Sequence, residues 1–180
     1  MNAASRAIGA TLLALCTACV TSKAPVGSHA YSIHEEDWNG TWITGDGRTA
    51  KIKVLDEANG VLGCSITDKK NASRSLETFQ LRLLEHDGWV FANLTDPSAE
   101  DQYAWARVWR MDEQLIVWYP DEHTIREMVK HGDLPGTLGD PTGVTIDKLD
   151  DEQLTAVTHA RDGIAVMWEI PWALIRIAKE

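Results

Sequence analysis

The chain is 180 residues long, 44% hydrophobic and 24% charged, with 17 Lys+Arg against 27 Asp+Glu. That composition belongs to a chain that folds, and a formal charge of −10 without a basic run excludes an electrostatic nucleic-acid binder. No stretch reaches the roughly 18 apolar residues of a spanning helix, which excludes a polytopic helical membrane protein.

The first 22 residues contain one cation, Arg6, and no acid, with an apolar run over 7–15. A positive start, a short apolar stretch and small residues after it predict a secretory signal. Leu15-Cys16-Thr17-Ala18-Cys19 resembles the bacterial lipobox. The resemblance implies cleavage before Cys19 and lipidation of its sulfur. Because Val20 rather than an acid follows, it also implies an outer-membrane lipoprotein facing the periplasm. Cys16 is the competing cysteine, and a plain secretory signal cleaved near Ala18 is the alternative. The expected organisation is a signal peptide over 1–18, a lipidated N-terminus and flexible tether over 19–35, and one globular domain over 36–180. After such processing Cys64 stands alone, so no intramolecular disulfide is available and stability rests on the core.

From residue 50 onward the pattern is chiefly of period 2. Ala50, Ile52 and Val54 alternate with Lys51, Lys53 and Leu55, and Glu57-Ala58-Asn59-Gly60 reads as a turn. Further strands are predicted over 61–67, 76–84, 89–94, 103–111 and 114–119. Asp121 caps a helix that ends at His131-Gly132, residues 134–143 read as a loop, and 144–146 as a short strand. A second helix is expected over 150–160. Ile164, Val166, Trp168 and Ile170 alternate as a last strand, and residues 172–178 are either a helical turn or a strand. Short strands with turns every 8–12 residues predict a mainly β, α+β fold: a single antiparallel meander, barrel-like, with two or three short helices in the C-terminal third.

Trp38-Asn39-Gly40-Thr41-Trp42 resembles the G-x-W opening of lipocalin-like barrels. That resemblance implies that Trp42 plugs one end of a barrel and that an arginine near the C-terminus packs on it. The sequence assigns that role to no particular arginine.

Eight Trp against two Phe and three Tyr is an unusual aromatic content. Tyr103, Trp105, Arg107 and Trp109 share one face of a single strand, and Trp118 lies on the next. As a ligand wall they would stack on a sugar or an apolar ligand, with Arg107 fixing an anion or making a cation–π contact. As core they would fill a small barrel, and if Ala104, Ala106, Val108 and Arg110 form the inner row the tryptophans face outward. No hydrolase elbow, zinc-protease helix or phosphate loop is present, and the clusters His34 to Asp37 and Asp121 to His123 lack metal-ligand spacing. No cofactor or metal is expected. The expectation is a lipid-anchored, non-catalytic binding domain that engages a basic envelope protein through its acidic loops. The alternative is a lipocalin-like carrier of a small apolar or glycan ligand in a Trp-lined pocket. An envelope enzyme with dispersed catalytic residues ranks third.

Overall fold

The computed structural model describes residues 20–67, 76–95, 101–139, 142–158 and 165–179. The predicted signal sequence and Cys19 lie outside them, as does the expected helix end at His159, Arg161 and Asp162.

An antiparallel meander forms the body: β3 (Gly40–Thr44), β4 (Thr49–Asp56), β5 (Val61–Thr67), β6 (Leu76–His86), β7 (Trp89–Thr95), β8 (Tyr103–Met111) and β9 (Gln114–Trp118) pair in sequence order. The last strand, β12 (Trp172–Ala178), pairs with β9 on one side and β3 on the other, closing an eight-stranded barrel. Closure removes the free sheet edges that an open meander would expose. The alternating set Ala50, Ile52 and Val54 faces inward as one row, and Leu62, Cys64 and Leu83 are buried inside the barrel with it.

A second layer covers part of the outer wall. β1 (Val20–Ser22) pairs with β8 and, in parallel, with β11 (Val144–Ile146), which in turn pairs with β10 (Gly136–Leu138). α2 (Glu122–His131) begins at Asp121, whose carboxylate accepts the Thr124 N–H at 3.0 Å, and ends at Gly132 in the left-handed region at φ 82°. α3 (Asp151–Thr158) follows, and Ile125, Leu154 and Val157 bury against Phe91, Trp105 and Trp118. Two apolar cores therefore share one wall, one inside the barrel and one outside it.

Three expectations are corrected. Residues 134–143 are not all loop, since Gly136–Leu138 forms β10 on the edge offered by β11. Residues 20–35 are not a loose tether: Val20, Val26 and Ile33 are buried, and β2 (His29–Ala30) pairs with β6. Asn93 holds this strap, accepting the Val26 N–H at 2.7 Å and donating to the Val26 carbonyl at 3.0 Å. The last strand is not 164–170. Val166 makes only a bridge to Pro120, residues 167–170 turn, and Ile170 is exposed. Residues 172–178 supply the closing strand instead, because their alternation continues on the far side of Pro171 with partners available on both edges.

Candidate functional site

One end of the barrel is plugged. The single-turn helix α1 (Glu35–Trp38) crosses it, and Trp42, wholly buried, donates its indole N–H to the Trp38 carbonyl at 3.3 Å. Gly40 has φ 148°, and a Cβ there would lie 2.3 Å from the Ala178 carbonyl oxygen, so glycine is required at this position. Arg176, inward on β12, sets its guanidinium 5.3 Å from the Trp42 ring centroid. Its Nη1 donates to the carbonyls of Glu36 and Asp37, each at 3.0 Å, which the short helix cannot satisfy internally. Its Nε donates to Glu113. That hydrogen bond first, helped by Lys179, pulls the Glu113 carboxyl down to about 2. Arg110 completes the plug, bonding the Asp37 carboxylate at 2.6 Å.

Above the plug lies a cavity of about 180 Å³. Trp38 borders it at the plugged end, and Thr44, Ile66, Tyr119 and Trp172 border it toward the other. Its origin is legible in residue volume. Ala92 and Ala106 sit directly opposite each other on β7 and β8, Ala104 follows, and Ala50 and Cys64 face them from β4 and β5. Small inward residues on several strands leave space that a packed interior would not keep. Almost every wall atom is apolar. Burial pushes the Cys64 thiol up to about 12, so it is neutral and unreactive at physiological pH.

The five residues singled out from the sequence do not line this cavity together. Tyr103, Trp105, Arg107 and Trp109 face outward from β8, and Ala104, Ala106, Val108 and Arg110 form the inner row; only Trp105 also borders the interior space. Trp105 is buried in the outer core against Phe91, with ring centroids 6.0 Å apart. Trp109 is 47% exposed. Arg107 and Trp118 are brought together, along with Trp89 and Trp168. The Arg107 guanidinium lies 3.3 Å from the Trp89 centroid, 4.6 Å from Trp118 and 4.7 Å from Trp168. Burial lowers the Arg107 pKa to about 10, and its Nε and Nη1 have no hydrogen-bond partner among the described residues. The sequence reading missed Trp89 and Trp168, whose contribution depends on register and on the turn before β12. It also missed Trp38, Tyr119 and Trp172 as cavity residues.

The acidic groups occupy different places. Asp56, Glu57, Asp112 and Glu113 stand at the plugged end, Asp121 and Glu122 at the opposite end, and Asp147 to Glu152 beside the outer layer. Several are engaged: Glu122 with Arg126 at 3.2 Å, Asp147 with Lys23 at 2.7 Å, Glu113 with Arg176. Among the described residues no group of three His, Cys, Asp or Glu is placed to hold a metal. Comparison with family models, curated proteins and solved structures finds no match to this chain.

Proposed function

We propose that this protein is a lipid-anchored, non-catalytic carrier that holds a small apolar ligand inside its barrel. The observation that carries the reading is the cavity of about 180 Å³ walled by alanine, leucine, isoleucine and aromatic side chains. Apolar cavities of roughly this size stay dry and take up apolar molecules of matching volume. A glycan is disfavoured, since its hydroxyls would meet few polar partners there. Arg176 over Trp42 behind Gly40 supports the lipocalin-like reading of the G-x-W opening, and the division of the acids between both ends favours a carrier over a docking rim for a basic protein. The lipobox-like Leu15 to Cys19 supports attachment through Cys19 at the periplasmic face of an outer membrane. Multiple acyl chains on one residue would hold the protein there, each buried CH₂ contributing about 0.8 kcal/mol.

The test is uptake of phenylnaphthylamine, which fluoresces in apolar surroundings, by the full chain. Filling the cavity with Ala92→Leu and Ala106→Leu should weaken uptake by about tenfold or more while the chain remains folded. Uptake by the filled variant equal to that of the parent removes the interior as the site. Metabolic labelling with a clickable palmitate tests the anchor separately: the label should be lost in Cys19→Ser.

A further inference from the structure

Beyond the outer layer and the strap, part of the barrel wall is uncovered by other described residues and is unusual in composition. Strand register aligns Met111, Gln114, Ile175 and Ile43 in one outward row across β8, β9, β12 and β3, with Trp109, Ile116 and Ala173 in the next. Trp109 is 47% exposed, Met111 45%, Ile175 51% and Ile177 59%. Ile43 pairs onward with Thr49 of β4, whose other outward positions, toward the plugged end, are Lys51, Lys53 and Leu55. From β9 through β12 and β3 to residues 49–55 of β4 and on across β5, no outward strand position carries a carboxylate, in a chain with 27 acids. The nearest acids sit at the strand ends: Asp56 closes β4, Asp112 and Glu113 lie between β8 and β9, where Arg176 and Lys179 hold Glu113, and Arg48 holds Asp46.

We propose that this wall is a membrane contact, seating the barrel side-on against a bilayer that contains anionic lipid. Three features select that occupant. The wall is convex, so a deformable surface meets more of it than a rigid flat partner does. Its chemistry is that of an interfacial binder: aliphatic side chains and a Trp to enter the headgroup boundary, and exposed Lys53 on the flanking strand β4 to meet lipid phosphates. Its position also fits. Val20 is the first described residue, its neighbour Thr21 pairs with Ala104 on β8, and Trp109 lies five residues farther along that strand, about 17 Å away. An acyl group on Cys19, immediately before Val20, would leave almost no slack between the bilayer and this side of the barrel. The contact goes beyond the anchor reading, because the wall's composition does not depend on Cys19.

The experiment keeps the two apart by using the full chain carrying Cys19→Ser, with flotation on phosphatidylcholine vesicles with and without phosphatidylglycerol. The protein should float with the anionic vesicles and bind less to phosphatidylcholine alone. The triple change Trp109→Ser, Ile175→Ser and Ile177→Ser should lower partitioning by about tenfold or more, and Leu138→Ser, an exposed leucine elsewhere, should leave it unchanged. A second readout does not depend on affinity: a fluorophore on Ile175→Cys should be quenched by lipid brominated along its chains, and one on Leu138→Cys should not. Equal flotation of parent and triple variant, or equal quenching at both labels, overturns the proposal. So does a dimer in vesicle-free buffer that the triple change dissociates, since a second copy would then cover the wall. Loss of palmitate labelling in Cys19→Ser bears only on the anchor.

Discussion

Arg176 and Trp42, 134 residues apart in the chain, meet at the plugged end of the barrel with guanidinium and indole centroid 5.3 Å apart. The contact joins the last strand to the first strand of the barrel, and the same arginine satisfies the carbonyls at the end of α1. One buried cation thus fastens closure, plug and C-terminus together. Arg176→Ala should cost about 2–4 kcal/mol in urea unfolding, because it strands buried acceptors and leaves a void beside Trp42. Arg176→Lys should recover only part of that, since an ammonium cannot reproduce the planar fork of donors.

The same cluster sets an acid limit. Glu113 has a carboxyl held down to about 2, below its ordinary value of 4.5, by Arg176 and Lys179. A depressed carboxyl contributes stability at pH values above its unfolded pKa, and that contribution is lost as pH falls toward the folded one. The urea midpoint should therefore decline between about pH 4.5 and 2, and Glu113→Gln should flatten that decline while lowering stability at pH 7. An unchanged slope in the variant would assign acid unfolding to other groups.

Arg107 presents the opposite case, a cation packed among Trp89, Trp118 and Trp168 with two N–H-bearing atoms unpartnered among the described residues. Ring faces recover part of its desolvation, yet a flexible apolar side chain of similar length would need none. Arg107→Met should leave stability within about 1 kcal/mol of the parent, whereas Arg107→Ala should cost about 3 kcal/mol by emptying the space between three indoles. Equal losses for both would show that the charge itself stabilises the cluster.

Cys64 reports on the interior. With its thiol pushed up to about 12 and its side chain buried against the cavity, it should resist Ellman's reagent at pH 8 in the folded protein and react on unfolding. Labelling at the rate of a free thiol under native conditions would mean that the barrel opens to solvent on the timescale of the reaction.

Much of the local structure was legible in the residues. The bounds of β5 and β8, the Asp121 cap, the Gly132 stop and the inward set Ala50, Ile52 and Val54 all follow from periodicity and capping chemistry, which act over a few neighbouring residues. The facing of β8 is not legible locally because its outer row is covered only in part, with Trp105 buried and Trp109 exposed. Alternation names two faces but not which one is inside, and here Trp105 of the bulky row packs under an outer layer while the alanines face the interior. The strap over 20–35 carries no local signature, because its anchors, Asn93 in one strand and buried Val26, are ordinary residues far apart in sequence. Arg176 could not be chosen as the partner of Trp42 until β12 had closed on β3, since register across the seam is set by the whole circuit of strands. The sequence by itself therefore determined the strands of the meander from β4 to β9, the helices α2 and α3 and which side chains alternate. Closure, the cavity left by facing alanines, the gathering of Arg107 among three indoles and the acid-free wall were decided only by tertiary structure, because each depends on packing between residues that no local pattern relates.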